Sequence, residues 1–86
     1  MSTEEAIVHA RAVKARHERS LMSKRNVVGI GIGLRQRAGK PTGEVCIIVS
    51  VSKKMPPSQL APHDLIPSIL EDVPVDVQET GVFHAR

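Results

Sequence analysis

Asn26–Leu34, with the sequence NVVGIGIGL, is the stretch that most strongly constrains the fold of this 86-residue chain. At the two-residue period of a β-strand, one face carries a run of apolar side chains, Val28, Ile30, Ile32 and Leu34. The opposite face carries Val27 and then three glycines, Gly29, Gly31 and Gly33. Glycine inside a strand costs backbone entropy and adds no packing. Three glycines on one face of a strand therefore indicate that another backbone lies close to that face, which compensates for this cost. The stretch therefore predicts a strand used for packing or assembly rather than for catalysis.

The chain is long enough for one small domain and has few of the usual sources of extra stability. Domains of this size bury only about 60% of their unfolded surface, so they are marginally stable. The single cysteine, Cys46, excludes an intramolecular disulfide, and no Cys/His cluster has the spacing of a structural zinc site. Because Phe83 is the only aromatic residue, the core must be aliphatic. We therefore predict that the protein gains stability as a homo-oligomer.

The first residues of the chain do not have the pattern of a secretory signal, because Glu4 and Glu5 are acidic and no apolar core segment follows them. No apolar run approaches the length that crosses a membrane. The sequence therefore predicts a cytoplasmic protein without a membrane partner.

A helix is predicted over residues 3–25, ahead of the glycine strand. Ser2 and Glu5 have the spacing of a capping box, which marks a helix start. The apolar stripe of this helix is narrow and made of mostly small residues, namely Ala6, Ala10, Val13, His17 and Leu21. We expect Ala6 and Ala10 to lie against the three glycines in a small-against-small contact.

Two further strands follow the first strand, which is predicted over Val27–Arg35. The polar segment 36–43 predicts a hairpin loop longer than the tight two-residue type, and Val45–Ser52 predicts the second strand. The prolines between residues 53 and 72 exclude a long helix there and leave short helical turns. The alternating valines of Val73–Gln78 predict the third strand.

This order of elements predicts an α+β fold with an N-terminal helix, a three-stranded mixed sheet and a proline-rich crossover with short helical turns. A crossover of about twenty residues is long enough for a parallel connection between the second and third strands. It would place the third strand beside the first, giving the order 2-1-3 with the second strand as an exposed edge. We expect one domain over 1–86, with sheet and crossover over 26–81 and a tail over 82–86.

The surfaces expected to make contacts are the glycine face of the first strand, the edge of the second strand and the small residues of the helix. The candidate interface residues are Gly29, Gly31, Gly33, Val45, Ile47, Val49, Ala6 and Ala10.

Several short blocks of the sequence together match the pattern of a known bacterial domain. The blocks are VVGIGIG at 27–33, PTGE at 41–44, IIVSV at 47–51, KK at 53–54, LIP at 65–67, VPVDV at 73–77 and ETG at 79–81. Residues 25–81 thus resemble the N-terminal domain that precedes trypsin-like serine peptidase domains in certain bacterial proteins. The chain has no Gly-x-Ser-x-Gly motif and no Ser, His and Asp set with a domain to hold it, so the resemblance implies no catalytic residue. It implies an accessory domain, which we expect to be free-standing, with a peptidase as one class of partner.

The motifs that would indicate an enzyme or a cofactor do not fit. A dinucleotide loop would need a third glycine where Leu34 stands, and a phosphate loop would need Ser or Thr where Pro41 stands. His9 and His17 are eight residues apart, too far along a helix to share a metal ion, and Cys46 lacks the basic neighbours of a reactive thiolate. We therefore expect no enzymatic activity, no cofactor and no metal.

Nucleic-acid binding is the alternative function. The chain has a net charge of +3, and six cationic residues lie on or just after the predicted helix: Arg11, Lys14, Arg16, Arg19, Lys24 and Arg25. Such a cluster can hold a phosphate backbone by counterion release. Readers of single strands and RNA usually add stacking aromatics, however, and only Phe83 is available. A non-enzymatic interaction and self-assembly module is therefore the favoured hypothesis.

Overall fold

A computed structural model describes residues 2–80, so the predicted tail 82–86 lies outside the described residues. Its regular elements are one helix, α1 (Thr3–Met22), four strands, β1 (Val27–Arg37), β2 (Lys40–Val51), β3 (Ile69–Leu70) and β4 (Val73–Glu79), and two 3-10 turns, Pro57–Gln59 and Pro62–Asp64. The predicted α+β class, with one N-terminal helix and a mixed sheet, is confirmed. The short helical turns predicted in the proline-rich crossover are also present.

Ser2 fixes the start of α1 as its N-cap. The backbone N–H of Glu5 donates to Ser2 Oγ at 3.1 Å, and the Ser2 hydroxyl donates to Glu5 Oε1 at 3.2 Å. The helix ends at Met22, earlier than the predicted residue 25, because the chain bends and Asn26 adopts a positive φ of 69° before the first strand. The predicted stripe faces the sheet, where Ala10, Val13 and Leu21 are buried.

A tight turn joins β1 to β2. Only Ala38 and Gly39 separate the strands, and their φ angles of 51° and 77° are both positive, as a two-residue type I′ turn requires. The prediction of a longer loop over 36–43 is therefore wrong. The prediction failed because Ala38 takes the left-handed conformation, which is usually adopted by Asn, Asp or Gly. With the turn made by only two residues, both strands extend into the polar residues on either side of it.

The strands lie in the order β1-β2-β4-β3, with β2 antiparallel to β1 and parallel to β4. The predicted order 2-1-3 is wrong, because β2 rather than the glycine strand is central and β3 is a fourth strand. The connection from β2 to β4 is parallel as predicted, but β4 lies beside β2 and not beside β1. The near-continuous apolar run of β2 accounts for this position, since an interior strand is buried on both faces.

The hydrophobic core lies between α1 and one face of the sheet. Its centre is formed by Val13 of the helix with Ile47 and Val49 of β2, all of which are 0% exposed. Half-buried residues of the other elements pack around this centre: Val27, Ile30, Ile32, Val45, Ile66, Leu70 and Val77.

A β-bulge near the start of β1 decides which way its side chains face. Val27 pairs with Val51 and Gly29 with Ser50, so Val28 is the extra residue and is 53% exposed. Val27 consequently packs on the core, which is the reverse of the strict alternation read from the sequence. The three glycines lie on the sheet face that α1 does not cover, so the predicted contact between the helix alanines and the glycines is wrong.

Candidate interaction surface

The outer side of β1, here called the β1 edge, is the longest free strand edge in the described part of the chain. β1 runs for 11 residues and pairs only with β2 among residues 2–80. It contains no proline, and its charges, Arg35 and Arg37, stand at the far end. An edge of this kind presents unpaired backbone N–H and C=O groups to another chain.

The glycine face adjoins the β1 edge. It consists of Gly29, Gly31 and Gly33 of β1 with their register partners Ser50, Ile48 and Cys46 of β2. A Cβ atom built on Gly31 would meet nothing within 4 Å, whereas one built on Gly33 would overlap Ile48 Cδ1. Gly33 is thus explained within the chain, because the Ile48 side chain occupies the space above it. Gly31 has no such explanation.

The other predicted interface residues fall into two groups. Ile47 and Val49 are 0% exposed and β2 is paired on both sides, so the proposed exposed edge of the second strand does not exist. Ala10 is 1% exposed in the core. Ala6 and Val45 are half-buried and line a shallow cleft of about 110 Å³ together.

The six cationic residues proposed for nucleic-acid binding do not form one free surface. Lys14 pairs with Glu18 at 3.0 Å and Arg16 with Glu71 at 2.8 Å, while Lys24 Nζ donates to a backbone oxygen at 2.7 Å. The remaining three, Arg11, Arg19 and Arg25, make no ion pair within residues 2–80. Nucleic-acid binding stays a prediction, which a salt titration against DNA and RNA tests.

An ionic cluster that was not predicted from the sequence joins the helix to the turn between β3 and β4. Glu71 accepts hydrogen bonds from Arg16 at 2.8 and 2.9 Å and lies 2.8 Å from His17 Nε2. His9 Nε2 lies 2.7 Å from Asp72 Oδ1 in the same turn. Both acidic residues have positive φ, 54° and 101°, so the turn geometry aims them at α1. The partners are more than fifty residues apart, and no local motif could have linked them.

The pKa of the Glu71 carboxyl falls from 4.5 to about 2 because Arg16, and then His17, hydrogen-bond its charged form. A lowered folded-state pKa means that the carboxylate stabilises the fold above pH 4.5 and ceases to do so as the pH falls towards 2.

Glu71→Gln should therefore lower the free energy of unfolding at neutral pH, and the difference from wild type should shrink as the pH falls from about 4.5 to about 2. Urea titrations followed by far-UV circular dichroism from pH 7 to pH 2 measure this difference. A deficit that stays constant down to pH 2 would show that the ionised carboxylate does not stabilise the fold.

Cys46 is 0% exposed. Burial raises the pKa of its thiol, and the nearby Asp76 carboxylate raises it further, so the reactive thiolate is disfavoured.

No group of three or more potential metal ligands occurs among residues 2–80. Within the same residues, the single helix is not long and apolar enough to cross a membrane.

The match to a protein family covers the whole folded unit. The family model of the NARROW LEAF 1 N-terminal domain matches residues 5–79, from the first turn of α1 to the last residue of β4. No curated protein matches the chain. Because the match spans most of the 86 residues, the chain belongs to the NARROW LEAF 1 N-terminal domain family.

Proposed function

We propose that this domain is a non-enzymatic interaction module that self-associates through the β1 edge. The observation that carries the proposal is the 11-residue, proline-free edge strand with no partner strand on its outer side within residues 2–80. Proteins usually protect such an edge with proline, charge or a covering loop, because it otherwise pairs with another chain. Here irregularities in register lie at both ends of β1, at Val28 and at Arg35, and two arginines stand at the far end, so the regular part of the edge is 29–34.

The charges of β1 are compatible with pairing between two copies. In an antiparallel two-fold arrangement centred on Ile32, the middle residue of β1, the regular stretch 29–34 would pair with its copy, and the arginines near the end of β1 would lie towards the uncharged start of β1 of the second copy. No like charges would then face each other directly across the pair. The two sheets would join into one, with both helices on the same side and the glycine faces continuous on the other.

The glycine face gives the module a second surface, and a peptidase is the class of partner that we propose for it. The matching family is described as an N-terminal domain, which is consistent with an accessory role. The sequence blocks resemble those of domains that precede trypsin-like peptidases, which supports a peptidase as the partner. The open space around Gly31 on this face lets a neighbouring domain approach the sheet closely at that point. Gly31, with open space above it, fits this role.

Gly31→Glu tests the self-association. Nothing lies within 4 Å of the added Cβ, so the single chain should fold normally, while two carboxylates would meet near the two-fold axis of the paired edges. We expect the wild type to have about twice the chain mass of 9.3 kDa at micromolar concentration and the variant to have the mass of one chain. Light scattering or sedimentation equilibrium measures this mass.

Ala12→Glu is the matched control, because it adds the same charge at an exposed position on the outer face of α1. It should leave the dimer mass unchanged. A wild-type mass that stays at 9.3 kDa on concentration would disprove self-association, and a Gly31→Glu variant that remains dimeric would place the contact elsewhere.

A further inference from the structure

A pocket of about 250 Å³ lies at one end of the sheet and includes no residue of β1 or of the glycine face. Its walls come from the ends of β2 and β4, from the connection between α1 and β1, and from the proline-rich crossover. Most of the lining is apolar, with contributions from Val51, Val77, Met55, Leu60, Leu65 and Ile66. We refer to it as the end pocket.

Three cationic residues, Arg25, Lys53 and Lys54, also line the end pocket. All three are exposed, which places them at its mouth, and none of them forms an ion pair within residues 2–80. An apolar interior with cations at the mouth is complementary to an apolar molecule that carries one negative charge.

Two carboxylates lie near these cations, and each accepts a hydrogen bond from a backbone N–H group. Asp64 Oδ1, in the pocket wall, accepts from the backbone N–H of Arg25 at 2.9 Å. Glu79 Oε1 accepts from the backbone N–H of Lys54 at 2.8 Å. Because these hydrogen bonds use main-chain N–H groups, the ammonium and guanidinium groups are left for an anion.

We propose that the end pocket binds a small carboxylic acid with an apolar body, of the size of a medium-chain fatty acid. The volume lies just below the range of roughly 300–1,000 Å³ typical of pockets for drug-sized ligands, so a short alkyl or single-ring group would fill it. The alkyl body would lie against the aliphatic lining, and the carboxylate would accept hydrogen bonds from Lys53, Lys54 or Arg25. This site is independent of the β1 edge.

Octanoate is the probe, and 1-octanol of the same chain length is its uncharged counterpart. Each is titrated into the full-length ¹⁵N-labelled protein while the backbone amide resonances are followed by NMR. We expect octanoate to shift the amides of the end pocket saturably and to bind at least ten-fold more tightly than octanol. The octanoate affinity should also fall with added salt, since an ion pair at an exposed mouth is screened.

The double variant Lys53→Gln with Lys54→Gln separates the two parts of the site. It should weaken octanoate at least five-fold and leave octanol binding unchanged, because the apolar lining is intact. Arg11→Gln with Lys40→Gln is the matched control, since it removes two exposed cations far from the pocket and should change neither affinity. Retained octanol binding also verifies that the first variant is folded.

Four outcomes would overturn the proposal. Equal binding of octanol and octanoate would show that the cations take no part, and shifts spread over other surfaces would show that the pocket is not the site. A ten-fold rise in octanoate affinity on Phe83→Ala in the full chain would show that the chain's own terminal segment is the occupant. Absence of saturable shifts up to the solubility of the probe would exclude the ligand class.

Discussion

Ala10→Glu should prevent this domain from folding stably. Ala10 is 1% exposed and packs in the core between α1 and the sheet, so the new side chain has no space and its charge has no partner there. Overpacking of a core costs about 1–3 kcal/mol, and an uncompensated buried charge about 3–5 kcal/mol more. The sum approaches the whole stability of a small domain, which is about 5–15 kcal/mol.

Ala12→Glu makes the same change two residues later, at an exposed position of the same helix. It should alter the free energy of unfolding by less than about 0.5 kcal/mol, because surface substitutions away from special features rarely do more. The chain has no Trp or Tyr, so thermal unfolding followed by far-UV circular dichroism is the suitable measurement. If both variants melted alike, α1 would not pack on the sheet, and unprotected amides over residues 6–21 in hydrogen exchange would verify this.

Ile47→Ala should have the second largest effect, a loss of about 2–5 kcal/mol. Ile47 is 0% exposed and stands in the central strand, where it pairs with Ile32 of β1 and Val75 of β4. Removing most of its side chain leaves a cavity in the core. Because β2 is held by strand pairing on both sides, the neighbouring residues cannot move far enough to fill that cavity.

Ile69→Ala is the matched control, because it deletes the same atoms from a residue that is 63% exposed. Its effect should stay below about 1 kcal/mol, since little apolar surface returns to water. Urea titration of both variants at one protein concentration gives the comparison and keeps any contribution of self-association constant. Equal losses would mean that β2 is not the central strand of the core.

The sequence alone correctly predicted several features that depend on neighbours along the chain, although not the tight turn at Ala38 and Gly39. Ser2 and Glu5 marked the helix start, and the spacing of Ala10, Val13 and Leu21 marked its buried stripe. The alternation of Val73–Gln78 marked a strand, and proline excluded a long helix from the crossover. Capping, periodicity and proline geometry act over a few residues, so these signals are complete within the local sequence.

The candidate surface could be predicted only in part. Gly29, Gly31 and Gly33 were identified as unusual, but they were assigned to a central strand beneath the helix. The contrast between β1 and β2 contained the missing signal, since VCIIVSV at 45–51 is apolar on both faces and the glycine strand on only one. An interior strand needs two apolar faces, whereas an edge strand with one open face does not.

The sequence by itself determined the class of the fold, the helix with its buried stripe, and the three longer strands. Only the tertiary structure decided the strand order, the bulge at Val28 that reverses the start of β1, and the ionic cluster around Glu71. These features depend on contacts between residues distant in sequence. The strand order depends on which arrangement buries the apolar surface of the whole chain. One inserted residue in a strand moves the side chains on one side of it to the opposite face of the sheet.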